Sequence, residues 1–290
     1  MRSDSGLAPT YSAKLLSPFR YPGGKTWLVP LICQWLDGME PKPSEFIEPF
    51  GGGCIVGLNV AFKGLSKHVT LVELDEDVAS VWKTIITKDA KRLAGKIATF
   101  DFTLDSVNEV LSKIPHSLEE RAFQTILRNR INRAGILASG AGMLKNGEDG
   151  KGIKSRWYPE TLKRRILEID RMQERVTFIE GDGLTVLRRN ANRGVEVVFF
   201  IDPPYTAGGK QAGRRLYKHH KLDHEELFRI ASTLTGDFLM TYSNDGSVHE
   251  LARQHNFQTQ EITMRSSHHT EMTELLIGRD LDWIRRLENA

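Results

Sequence analysis

The segment that constrains this chain most is VEVVFFID, residues 195–202, followed at once by Pro203, Pro204 and Tyr205. Its residues are apolar on both alternating faces, so a strand formed here has to be covered on both sides, as in the middle of a parallel sheet sandwiched between helices. The prolines cannot donate to a sheet ladder, so the strand must stop at them. Other β-branched or aromatic runs bounded by turn residues predict strands at 45–50, 69–73, 176–180, 237–243, 258–264 and 274–278. Helical patterns stand between most of them, at 78–88, 184–189, 224–233 and 248–255. Strand and helix in alternation predict an α/β fold around a mostly parallel seven-stranded sheet.

The alternation breaks over residues 105–175. Two helical segments, 118–133 and 159–175, flank a glycine-rich loop that can supply little core of its own. This segment is expected to be an insertion into a body formed by 17–104 and 176–282, with a flexible arm at 1–16 and a tail at 283–290. Charge divides along the same line. The net charge is only +3, yet residues 121–165 hold eleven Lys and Arg against three acids, and residues 206–222 hold five basic residues and no acid. The remainder is therefore acidic, at −10. An acidic body with two basic stripes is the footprint of a polyanion partner, so nucleic acid is expected.

Hydrophobic residues at 40% and charged residues at 27% exclude a disordered, collagenous or coiled-coil chain. No apolar run approaches the ~18 to 20 residues of a membrane span, and the first residues lack the apolar stretch of a secretory signal. Cys33 and Cys54 form no CxxC pair and sit beside no matching histidines, so neither a disulfide framework nor structural zinc is implied. A reducing cytoplasmic location is expected.

In α/β sheets ligands bind beyond the carboxyl ends of the strands, and four polar clusters stand there. Glu48-Pro49-Phe50-Gly51-Gly52-Gly53 has glycines that let backbone approach a ligand closely. Glu73, some 20 residues on, is placed to accept hydrogen bonds from ribose hydroxyls, whereas Asp75, Glu76 and Asp77 suit the start of a helix. Glu180-Gly181-Asp182-Gly183 offers another acid in a turn. Asp202-Pro203-Pro204-Tyr205 combines acceptors with a flat ring, which suits an amino-bearing heterocycle better than a phosphate. Gly24-Lys25-Thr26 resembles the end of a phosphate-binding loop, but Phe19 stands where that motif requires glycine. His219, His220, His224, His268 and His269 have no second ligand cluster to make a metal site and are taken as surface or nucleic-acid-facing residues.

Arg20-Tyr21-Pro22-Gly23-Gly24-Lys25, then the glycine turn, then Asp-Pro-Pro-Tyr, in that order, resembles the Dam-like family of DNA adenine-N6 methyltransferases, over about residues 17–282. The resemblance implies a Rossmann-like methyltransferase using S-adenosylmethionine on double-stranded DNA, with 105–175 as the target-recognition insertion and no metal. It implies that Tyr21 and Lys25 contact the cofactor. Pro49, Phe50, Gly52 and Gly53 would line its path, Glu73 would hold the ribose and Asp182 would face its adenine. Asp202, Pro203, Pro204 and Tyr205 would hold the target base, with Asp202 also beside the cofactor. Cys54 departs from the pattern, standing where many relatives keep glycine.

The chemistry agrees with that reading. An exocyclic amine is a poor nucleophile because its lone pair is delocalised, and acceptors such as Asp202 and the Pro203 carbonyl favour the form whose lone pair is free. A base within a duplex must be flipped out to reach them, with Tyr205 as a stacking platform. Arg128, Arg130, Asn132, Arg133 and Arg156 are the candidates for reading base edges. Lys151, Lys154, Lys210, Arg214, Arg215 and Lys218 are the candidates for other DNA contacts. Cytosine-N4, RNA adenine or protein glutamine are rival substrates, and a DNA-binding protein that has lost catalysis is a rival class. Neither the DNA sequence recognised, nor a companion restriction nuclease, nor the oligomeric state is legible.

Overall fold

The computed structural model describes residues 11–87, 89–144, 147, 150–204, 218–219, 221–265 and 271–284. Among these, β1 (Glu45–Glu48), β2 (His68–Glu73), β3 (Val176–Glu180), β4 (Val197–Ile201), β5 (Phe238–Ser243), β6 (Gln258–Arg265) and β7 (Glu271–Gly278) form one sheet. Its order is β3-β2-β1-β4-β5-β7-β6. β1 to β5 pair in parallel, and β7 runs antiparallel to both neighbours, inserted between β5 and β6. The seven expected strands are all present.

The two-residue period of a strand explains how one sheet serves two cores. In β4, Val198 and Phe200 join the cluster on one face with Phe46, Leu71 and Leu239. Val197, Phe199 and Ile201 join the other with Ile47, Val72 and Met240. Every β4 residue is buried, as its doubly apolar sequence requires. Helices cover both faces: α1 (Val29–Asp37), α2 (Ile55–Lys63), α3 (Glu76–Ile86), α4 (Ala90–Thr99), α5 (Leu104–Ser112), α6 (Leu118–Ile131), α7 (Pro159–Asp170), α8 (Gly183–Asn190), α9 (His224–Thr233) and α10 (Gly246–Gln254).

The segment expected as a separate insertion does not have a core of its own. α6 packs on α3 and α7 on α4, and Phe123, Ile126, Leu127, Leu162 and Ile166 enter the same cluster as β1 and β2. α1, α4 and α5 are additions to the expected helices, and in α4 Leu93, Ala94 and Ile97 form a buried stripe. Both helices expected in the segment end early. α6 stops at Ile131 because Asn132 is extended, and Gly135 then adopts a φ of 76°. α7 stops at Asp170 and a short 3-10 turn, Gln173–Arg175, leads into β3.

Part of the expected arm is packed on the body. The Lys14 backbone exchanges hydrogen bonds with the Asn59 side chain at 2.8 and 3.0 Å, and Leu16 is fully buried. At the other end Trp283 stacks on Trp35 and Ile284 is buried, so the chain is still packed there.

Candidate active site

An open cleft lies beyond the carboxyl ends of β1 to β4. The nine residues expected around a cofactor all line it. On the β1 side the turn is drawn tight by Gly51 N–H donating to Val72 O at 2.7 Å and Cys54 N–H to Gly51 O at 2.6 Å. Gly52 sits at a φ of 47°, and a Cβ there would fall 2.5 Å from the Tyr21 ring. Tyr21 thus lies directly on bare backbone, which only glycine permits. Trp82 Nε1 donates to Gly52 O at 2.9 Å and braces the turn from below. Cys54, the departure from the family pattern, has a φ of 50°. That left-handed conformation is one that glycine adopts without strain.

Glu73 ends β2. Its Oε2 accepts from Gly52 N–H, and its Oε1 from Leu74 and Asp75 N–H, each at 2.8 Å. Burial pushes the carboxyl up to about 7, against the pull of those three donors. Asp75 caps α3 through Asp77 and Val78 N–H, as its position suggested. Asp182 lines the cleft while its Oδ2 caps α8 through Thr185 N–H at 2.8 Å and Thr185 Oγ1 at 2.6 Å. Gly183 lets α8 approach the turn after β1: a Cβ there would meet Pro49 O at 2.4 Å and the Phe50 ring at 2.8 Å.

Asp202 emerges from β4 with its side chain one-fifth exposed. Thr241 Oγ1, from buried β5, donates to its Oδ1 at 2.7 Å. Lys25, expected to contact cofactor, lines the cleft with a side chain only 3% exposed and an ammonium held by protein groups. It donates to Gly23 O at 2.9 Å and pairs with Asp202 Oδ1 at 3.0 Å and Glu274 Oε2 at 3.6 Å. Its place is behind Asp202. Pro203 is buried and Pro204 half-buried at the cleft wall. Tyr205, the expected stacking platform, lies outside the described residues.

Thr241 and Glu274 were not singled out from sequence, and Glu48, which opens the first strand-end cluster, was given no role there. An acid or hydroxyl inside an otherwise apolar strand, as in Met240-Thr241-Tyr242 and Glu274-Leu275-Leu276, was the available signal. Glu48 lines the cleft, is 3% exposed and accepts from Gly57 N–H at 2.7 Å. Burial pushes it up to about 8, with Asp202 adding to the rise.

The basic residues separate into several kinds. Arg133, Lys151 and Lys154 are exposed at the glycine-rich loop and its flanks. Arg128 is half-buried and donates to Gln124 Oε1 at 3.3 Å. Asn132 spends its amide on Ile136 O at 2.7 Å. Arg156 is half-buried, next to Ser155 in a 3-10 turn. Arg130 corrects an expectation: it is 5% exposed and donates to Pro18 O, so it does not share an open helical face with Arg133. Burial, with Arg165 and Arg20 nearby, lowers its pKa to about 9. Lys218 is exposed at the cleft rim and pairs with Glu76 and Asp77. Lys210, Arg214 and Arg215 lie outside the described residues.

His219 also reaches the cleft, 3.9 Å from Glu76. His224 is not surface-facing: it is half-buried, with Nδ1 2.9 Å from the hydroxyl of buried Tyr242. His220, His268 and His269 lie outside the described residues.

The sequence profile described as D12 class N6 adenine-specific DNA methyltransferase matches residues 21–266. No curated protein matches the chain by sequence. Among solved structures, the chain is similar to a candidate RNA methyltransferase from Pyrococcus horikoshii, with a TM-score of 0.39 and 9% identity over 89% of this chain and 83% of that one.

Proposed function

The chain belongs to the D12 class N6 adenine-specific DNA methyltransferases, and from that premise we propose that it methylates N6 of an adenine flipped out of duplex DNA, using S-adenosylmethionine. The observation that carries the reading is Asp202, fixed by Thr241 and Lys25 at the end of β4, in the same cleft as the Glu73 and glycine-turn wall.

The residues present suit this cofactor. Glu73, Asp182 and Asp202 line the cleft beside the glycine turn and offer acceptors for the hydroxyls and amine of a nucleoside. Glu73 can accept from ribose hydroxyls, and Phe50 offers an apolar ring beside Asp182, the expected acceptor for an adenine amine. When bound, the cofactor supplies an activated methyl on a sulfonium, so the protein needs alignment more than acid or base chemistry.

Asp202 and the Pro203 carbonyl accept the protons of the target amine and draw its nitrogen towards a pyramidal form. Thr241 and Lys25 fix the Asp202 carboxylate before the base arrives, so little reorganisation is required at reaction. The segment 105–175 is assigned to target recognition, with Arg133, Lys151 and Lys154 at phosphates or base edges. Arg128, Asn132 and Arg156 are better suited to shaping the loop, and Arg130 to holding the Pro18 segment.

The test is transfer of labelled methyl from S-adenosylmethionine to duplex DNA, followed by digestion to nucleosides. N6-methyladenine is the expected product, absent with Asp202→Ala. Label found only in N4-methylcytosine, only in RNA or in no nucleic acid would overturn the assignment.

A further inference from the structure

Lys25 poses an electrostatic problem. As the target nitrogen takes the methyl group, the carbon–sulfur bond breaks and the carbon–nitrogen bond forms. Positive charge moves from sulfur to nitrogen before a proton is lost to water. A negative environment at the nitrogen assists that step. Yet Asp202 is paired at 3.0 Å with a buried ammonium, and a one-to-one pair would leave the acceptor nearly neutral. Glu48 does little to restore the balance, because burial keeps it largely protonated at neutral pH.

Resting on the methyl-transfer reading, we propose that Glu274 is a positioning residue that acts on Asp202 through Lys25. Glu274 stands in β7 opposite Ser243 of β5 and Ile262 of β6, which sets its carboxylate behind the cleft rather than in it. It is 7% exposed, and its Oε2 lies 3.6 Å from Lys25 Nζ. One ammonium is thereby shared between two carboxylates, with Gly23 O as a neutral third partner at 2.9 Å. The sharing gives Lys25 a second carboxylate to lean on and holds its ammonium where it orients Asp202. A buried carboxylate costs desolvation, and its ion pair with Lys25 offsets part of that cost.

The experiment compares Glu274→Gln and Glu274→Asp with the parent in single-turnover methylation of duplex DNA, with S-adenosylmethionine and DNA affinities measured separately. Glu274→Gln should slow the transfer step about tenfold while both affinities stay within about twofold, and Glu274→Asp, which keeps the charge, should recover most of the rate. An active parent with a Gln variant within about twofold of it in rate overturns the inference alone. So do Gln and Asp variants that fold and are equally slow, which would assign the effect to shape. If Glu274→Gln does not fold, the Asp variant still decides: folded, binding normally and slow, it overturns the inference. A parent that transfers no methyl to adenine overturns the functional reading and this inference together.

Discussion

Replacing Glu73 by Gln tests whether the cofactor wall stores a titratable strain. In the folded chain burial moves Glu73 from its ordinary 4.5 to about 7, a raised value. Between those pH values the folded state holds a proton that the unfolded state has released. Stability from this group is therefore complete below about pH 4.5 and is lost as pH rises through about 7. At ~1.36 kcal/mol per pH unit the span amounts to about 3 kcal/mol, an order-of-magnitude figure. Other groups act in the same range. Glu48, raised to about 8, adds a loss of the same sign, whereas buried His224, lowered from 6.5, adds the opposite sign below that value. Glu226, held down to about 2 by Arg229 and Arg188, acts only below 4.5. The informative quantity is thus the difference between parent and Glu73→Gln, in which the other groups largely cancel. The Gln amide cannot accept from Gly52, Leu74 and Asp75 together, so at pH 4.5 the variant should be less stable by about 1 to 3 kcal/mol. That deficit should close by about 3 kcal/mol between pH 4.5 and 7.5, as read from urea denaturation of the cofactor-free protein at a series of pH values. A difference that stays constant or widens over this range would refute the reasoning.

Further outcomes follow from the same geometry. Asp202→Ala should abolish methyl transfer while leaving cooperative unfolding intact, and transfer within about tenfold of the parent would remove Asp202 from the mechanism. Gly183→Ala has to push α8 away from Pro49 and Phe50, so it should cost about 1 to 3 kcal/mol of stability and weaken cofactor binding measured by calorimetry. Lys151→Ala and Lys154→Ala should weaken binding to all duplex sequences alike and each make its salt dependence shallower by about one phosphate, visible in fluorescence anisotropy titrations across salt concentrations.

Much of this architecture was legible because its determinants are local. Strand β4 is apolar on both faces, and the turn residues that bound the other strands are equally plain in sequence. The glycine turn, Glu73 and Asp202 could be placed at strand ends because parallel α/β sheets bring those ends to one edge. Long-range contacts were not legible. That Lys25 is spent on Asp202 and Glu274 depends on β5 and β7 lying side by side, which no local pattern encodes. Arg130 departs from its expected place for a related reason. α6 lies between other helices, and Gln124, Thr125, Asn129 and Arg130 are buried alongside its apolar residues, so the polar face inferred from periodicity is not the solvent face. α4 keeps a helical spacing of buried residues, but it opens the run from α4 to α7 that has no strand between its members, so the strand–helix alternation gives no signal there.

The placement of β7 bears on how the protein is made. A ribosome releases β5 and β6 before β7, yet β7 has to enter between them, so the edge of β5 away from β4 stays open until β7 arrives. The same strand carries Glu274, while Lys25 belongs to the first segment synthesised. Until the chain has been translated through Glu274, Asp202 has the lysine at its back but not the carboxylate that shares it. A nascent or prematurely terminated chain therefore holds the glycine turn and the Asp-Pro-Pro-Tyr motif before Glu274 joins Lys25, so the surroundings of Asp202 are completed together with the sheet.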